Sequence, residues 1–184
     1  MSTARKLLQK HWGWSDFRPG QEEAIDASLS GKNTLVVLPT GGGKSLCFQL
    51  TALLQDGICV VVSPLVALMI DQVSALKSKN IRAMSIHGSM NENELIEALD
   101  QCAFGNIKLL YLSPERLRNP IVTERLKTLP ISLLAVDEAH CISQWGHDFR
   151  PAYRQISQFH SVINRPPVMA LTATATQKVK EDIL

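Results

Sequence analysis

Two short stretches of this chain combine residue types and spacings that can do chemistry. The first is Thr40-Gly41-Gly42-Gly43-Lys44-Ser45, between an apolar run and a helical pattern. A glycine-rich turn there lets successive backbone N–H groups face phosphate oxygens, and the dipole of the following helix adds favourable potential. Lys44 is then placed to reach the terminal phosphates and Ser45 to offer its hydroxyl to Mg²⁺. The strict pattern G-x-x-x-x-G-K-[ST] asks for glycine at position 38, where this chain has Leu38. That glycine does not itself bind phosphate, so the departure leaves the chemistry of the remaining residues intact. The second stretch opens with Asp137-Glu138-Ala139-His140 directly after the apolar residues 133–136. An acid at the carboxyl end of a parallel strand lies where such sheets bind ligands. Asp137 suits Mg²⁺, and Glu138 suits the orientation or deprotonation of an attacking water.

The same stretch continues through Trp145, His147, Phe149 and Arg150. Trp145 and Phe149 offer flat faces to bases, each stack worth about 1–3 kcal/mol. Arg150 can neutralise phosphate or lie against a ring, and His147 beside Asp148 can hydrogen-bond in either direction. Aromatic residues are usually core anchors. Here they stand among Ser143, Gln144, Gly146 and Asp148, a polar, glycine-interrupted setting that predicts an exposed loop.

These residues need a scaffold, and the hydrophobic pattern supplies one. Apolar runs suited to buried strands recur at residues 34–38, 58–62, 83–86, 109–112, 133–136 and 168–171. Helical spacing lies between most of them, as in Leu65, Leu68, Met69, Gln72, Val73 and Leu76. The alternation predicts an α/β fold, a mostly parallel sheet with helices on both faces. At 184 residues and 45% hydrophobic content the chain is the size of one domain, spanning 1–184. A net charge of +2 confines any nucleic-acid contact to local patches. One basic patch is Arg116, Arg118, Arg125 and Lys127, which could meet phosphates or simply face solvent. Cys47, Cys59, Cys102 and Cys141 lack paired spacing, which argues against a zinc site and for reduced thiols. No signal peptide or membrane span is visible, so the expected location is the cytosol or a compartment holding chromosomal DNA.

Near the amino terminus, Trp12-Gly13-Trp14 precedes Phe17-Arg18-Pro19-Gly20-Gln21. A helix beginning near Pro19 is expected, because proline suits a first turn. The amide of Gln21 can match the donor and acceptor of an adenine edge, although a helix glutamine is more often merely solvated.

Taken in order, Phe17 to Gln21, Thr40 to Ser45, Val62-Ser63-Pro64-Leu65, Ser113-Pro114-Glu115-Arg116-Leu117, Asp137 to Tyr153, and Ala170 to Ala175 resemble the successive motifs of RecQ-family DNA helicases. The segment from Cys141 to Pro151 resembles the aromatic-rich loop that separates RecQ enzymes from other helicases. The resemblance implies the ATP-binding, RecA-like P-loop lobe of a superfamily-two enzyme that hydrolyses ATP with Mg²⁺ and moves 3′ to 5′ on single-stranded DNA to unwind partly duplex DNA. It assigns adenine reading to Gln21 with support from Arg18, and phosphate and Mg²⁺ binding to residues 40–45 and Asp137. It assigns catalysis to Lys44, Asp137, Glu138 and His140, DNA contact to Trp145, His147, Phe149 and Arg150, and motion between lobes to Thr172 and Thr174. It also implies a second lobe, zinc-binding and winged-helix segments, none of which has a candidate here. Without a trans-acting arginine, whose contribution is on the order of 10³-fold or more in related enzymes, the chain alone is expected to hydrolyse ATP poorly. Two alternatives stay open at this stage: a noncatalytic nucleotide- or DNA-binding module, and the lobe of an RNA helicase.

Overall fold

The structure, a computed structural model, describes residues 1–145 and 148–184. Six parallel strands form one sheet: β1 Thr34–Val37, β2 Ile58–Val62, β3 Ala83–Ile86, β4 Leu109–Leu112, β5 Ile131–Val136 and β6 Val168–Thr172. Their spatial order is β1-β6-β5-β2-β4-β3. Parallel strands covered on both faces read as continuous apolar runs, and every residue of β2 and β4 is buried. The six expected strands are all present; β2, β3 and β4 have the expected bounds, and β1, β5 and β6 differ by one or two residues at an end. β5 starts at Ile131 rather than 133, because Ile58 pairs with Ile131 before a register shift. β1 ends at Val37, although the Leu38 amide still donates to the Thr172 carbonyl.

Among the described residues are eight α-helices, α1 Thr3–Trp12, α2 Gln21–Leu29, α3 Lys44–Leu54, α4 Val66–Ser78, α5 Glu92–Phe104, α6 Pro120–Leu126, α7 Ile156–Val162 and α8 Gln177–Ile183, and three short 3-10 helices at Pro114–Arg118, Ala139–Ile142 and Pro151–Gln155. Side chains alternate between the faces of a strand, and the core divides accordingly. Cys59, Val61, Leu133 and Ala135 pack with residues of α2, α3 and α4, while Val60, Val62, Leu134 and Val136 pack with residues of α5, α6 and α7. Helices therefore cover both faces, as the alternation predicts. α1 lies outside this layer, burying Leu8 against Ile25 of α2 and Leu46 and Leu50 of α3.

The expected helix start near Pro19 is corrected by the backbone. α2 begins at Gln21, and Gly20 takes the left-handed conformation at its N-cap (φ 88°). Pro19 stands in the turn before the helix rather than in its first turn, because a left-handed residue cannot be part of the helix that follows.

Strand order and register bring the chemistry together. Val37 pairs with Thr172, Val136 with Ala170, and Val62 with Val136. The carboxyl ends of β1, β6, β5 and β2 consequently lie side by side. The glycine-rich loop, Thr172, Asp137 and Ser63 emerge from them along one edge of the sheet.

Candidate nucleotide and nucleic-acid site

The glycine-rich loop leaves β1 and enters α3 at Lys44, with Gly41 and Gly43 left-handed (φ 80° and 79°). Gly42 has no such φ, but a β-carbon there would lie 2.8 Å from the Pro39 carbonyl oxygen. The turn is therefore closed to larger residues at successive positions, as an anion cradle at a helix N-terminus requires. Lys44 Nζ donates to the Leu38 carbonyl at 3.3 Å, holding the ammonium across the mouth of the loop. Position 38 thus contributes a backbone oxygen, which its side chain does not alter.

Arg18 and Gln21 brace this loop. The Arg18 guanidinium donates to the Gly41 carbonyl and lies 5.5 Å from the centre of the Trp14 ring. Gln21 is fully buried; its Oε1 accepts from the Arg18 amide at 2.8 Å and its Nε2 donates to the Gly43 carbonyl at 3.0 Å. Both polar ends of that amide are used within the chain. Ser45 Oγ accepts from Nε2 of Gln72 on α4 at 3.3 Å.

Beyond β5 the chain turns sharply. Asp137 is 5% exposed, and Glu138 is left-handed at φ 50°, a conformation uncommon for a residue with a side chain. The Glu138 amide donates to Asp137 Oδ1 at 2.9 Å. Burial first, and the neighbouring Glu138 charge second, raise the Asp137 carboxyl to a pKa of about 6, against the pull of that hydrogen bond and of Lys44. The carboxylate is thus costly to keep charged and lies close to a cation.

His140 is buried, with Nδ1 2.9 Å from Thr172 Oγ1 and 3.5 Å from Glu138 Oε2. The Thr172 hydroxyl is also within hydrogen-bond distance of the Thr174 carbonyl, at 3.0 Å. This chain of contacts joins Glu138, His140, Thr172 and Thr174 across the ends of β5 and β6. Tyr153, fully buried, donates its hydroxyl to the Asp137 carbonyl at 2.8 Å.

Trp145 and Phe149 are exposed, as their polar setting predicts. Trp145 is 62% and Phe149 37% accessible. Lys178 of α8 lies 5.4 Å from the Trp145 ring centre, and Arg154 5.5 Å from that of Phe149. Ser143 Oγ donates to Asp182 of α8 at 2.5 Å and accepts from the Trp145 amide at 3.1 Å. Arg150 is partly buried, its Nε 3.7 Å from Asp148. The assignment to His147 lies outside the described residues.

The basic patch is largely committed elsewhere. Arg116 donates to the carbonyls of His87 and Met90, Arg125 pairs with Asp100, and Lys127 lies 3.9 Å from Glu124. With Arg116 and Arg125 paired within the chain and Lys127 on an exposed pair, these contacts favour the solvent-facing reading over a phosphate surface for those three residues. All four cysteines are free and buried, in accord with reduced thiols. Among the described residues, no helix is long and apolar enough to cross a membrane.

Sequence reasoning missed Gln72, Tyr153, Lys178, Asp182 and the Trp14 ring. Trp14, beside the Phe17 to Gln21 stretch, and Tyr153, at the end of the aromatic-rich segment, had local signals; the other three had none.

A hydroxyl and a carboxylate are the hard oxygen donors Mg²⁺ prefers, and Ser45 in the first turn of α3 and Asp137 just after β5 lie at the same edge of the sheet. With the glycine cradle and Lys44, the site fits a magnesium-bound nucleoside triphosphate.

Similarity to known proteins agrees with this geometry. The DEAD/DEAH box helicase family matches residues 18–182. The chain is 46% identical to the probable ATP-dependent DNA helicase RecS of Bacillus subtilis, covering 100% of this chain and 37% of that protein. It is likewise 46% identical to the ATP-dependent DNA helicase RecQ of the same organism, over 98% of this chain and 31% of the relative. The chain thus spans about a third of the length of these relatives. The helicase domain of Pyrococcus furiosus Hef superposes over the whole chain with a TM-score of 0.69 at 24% identity, covering 38% of that chain. The helicase MrfA, in a structure bound to DNA, does so at 0.76 and 18%, covering 28% of its chain. Both share the RecA-like helicase-lobe fold. The chain belongs to the DEAD/DEAH box helicase family, with RecQ-type DNA helicases among its relatives.

Proposed function

We propose that this chain is the ATP-binding lobe of a DNA helicase, coupling Mg-ATP hydrolysis to movement on single-stranded DNA and unwinding of partly duplex DNA. The observation that supports it most strongly is the placement of Lys44, Ser45, Asp137 and Glu138 along one sheet edge, joined through His140 to Thr172 and within one connected segment to an exposed Trp145.

Residues 40–43 and the N-terminus of α3 would receive the phosphates through backbone N–H groups, and Lys44 would exchange the Leu38 carbonyl for a phosphate oxygen. Ser45 and Asp137 would hold Mg²⁺, which supplies charge neutralisation at the phosphates. Glu138, held in its left-handed turn, would orient and deprotonate the attacking water. His140, with Nδ1 close to both Glu138 and Thr172, would fix the spacing between them, so that a change in the water site is felt at the segment leading into α8. Arg18 and Gln21 clamp the loop; adenine reading by Gln21 would require its amide to leave Gly43.

DNA enters the same linkage from the other side. Bases stacking on Trp145 and Phe149 would displace Lys178 and Arg154 from those rings, with Arg150 near the backbone, and the tether of this segment to Asp137 through Tyr153 would carry the change to the catalytic acids. The identity to RecS and RecQ favours DNA over RNA, and the presence of Lys44, Ser45, Asp137 and Glu138 together favours an enzyme over a passive binding module. A partner lobe supplying a cation to the phosphates completes the proposal.

The test is Trp145→Ala in a chain extended by a second helicase lobe. Single-stranded DNA should no longer stimulate ATP hydrolysis, while ATP affinity stays within about twofold. Equal loss of both would contradict coupling through this segment, and equal stimulation of the unaltered protein by RNA would contradict the DNA assignment.

A further inference from the structure

We infer that Gln72 is a positioning residue for the cation, aiming the Ser45 hydroxyl by accepting its proton. The inference rests on the proposed Mg-nucleotide site and goes beyond it by naming what orients one of its donors.

A serine hydroxyl carries one proton and two lone pairs. To give a lone pair to a cation, it needs an acceptor elsewhere for the proton; otherwise the proton competes for the same direction. Ser45 is the second residue of α3, and its Oγ accepts a hydrogen bond from the side-chain amide of Gln72, 27 residues away on α4. That amide is held at 3.3 Å through Nε2, while its Oε1 is shut off from solvent without a hydrogen-bond partner. The two ends of a carboxamide have nearly the same shape, and a half-turn about its last bond exchanges them. Turning costs the carbonyl no protein hydrogen bond and places an acceptor beside Ser45 Oγ.

Two arrangements of one side chain thus match two states of the site. With Nε2 toward Ser45, the amide occupies a lone pair of the hydroxyl. With Oε1 toward Ser45, the amide takes the proton and leaves the lone pairs for the cation. A leucine at 72 could do neither, and a glutamate could only accept. Residues that orient a metal ligand typically influence metal affinity about 10–100-fold.

The experiment titrates the chain with a fluorescent ADP analogue carrying a methylanthraniloyl group, in Mg²⁺ and in EDTA. Circular dichroism melting of each variant checks folding. Gln72→Leu should lose about tenfold of the affinity gained from Mg²⁺ while its EDTA affinity stays within about twofold. Gln72→Glu should keep the Mg²⁺ gain, because a carboxylate accepts the same hydrogen bond. The inference is overturned if Gln72→Leu keeps the full gain, if leucine and glutamate lose it alike, or if affinity in EDTA falls as far as in Mg²⁺. Lys44→Ala in parallel separates the two layers: unchanged binding there sinks the nucleotide site itself, whereas loss at Lys44 with silence at Gln72 sinks only this inference.

Discussion

At the scale of single residues, the site trades stability for chemistry. Asp137 sits 5% exposed beside Glu138, and its pKa is raised from 3.8 to about 6. A raised acid binds its proton more tightly when folded than when unfolded, so its contribution favours the folded state below about pH 4 and declines as pH rises toward 6. Above that value the buried charge costs on the order of 3 kcal/mol. Asp137→Asn should therefore raise the melting temperature of the nucleotide-free chain by several degrees at pH 7.5, with the gain shrinking as pH falls from 6 to 4. The same variant should lose the affinity that Mg²⁺ confers on nucleotide. Melting curves and nucleotide titrations across this range check both, and a destabilised Asp137→Asn at pH 7.5 would contradict the account. Residues such as Lys44, Asp137 and Trp145 were legible because their chemistry is written into adjacent residues. Gln72 was not, since nothing near position 72 points to Ser45.

At the scale of elements, the six strands could be read because strands buried on both faces must be apolar throughout. Their ends were less legible: Ser132 interrupts the apolar run that would have carried β5 back to Ile131, and only the pairing of Ile58 with Ile131 restores it. The start of α2 was misplaced for a different reason, as Pro19 fits both a first turn and the turn before it, and Gly20 decided between them. Tyr153 shows what the motif pattern concealed. It reads as the end of an aromatic-rich segment, yet it is fully buried and ties the close of that segment to the Asp137 carbonyl. Tyr153→Phe keeps the ring and leaves a buried carbonyl unpaired, which should cost about 1–3 kcal/mol in urea denaturation. It should also weaken stimulation by DNA in the two-lobe protein more than ATP affinity. Unchanged stability would show that the bond carries no weight.

At the scale of the whole molecule, the fold class followed from alternating strand and helix patterns, but the strand order β1-β6-β5-β2-β4-β3 did not. Sheet neighbours far apart in sequence are selected by the packing of crossover helices, which local periodicity does not encode. That order is what function depends on, because it seats the loop after β1 beside the ends of β6 and β5. The central claim is that this edge receives a magnesium-bound triphosphate, and Lys44 tests it most directly. Isothermal titration of the chain with a nonhydrolysable ATP analogue and Mg²⁺ should give a clear binding signal that Lys44→Ala weakens at least tenfold, corresponding to about 1.4 kcal/mol. Equal affinity in the two proteins would contradict the account.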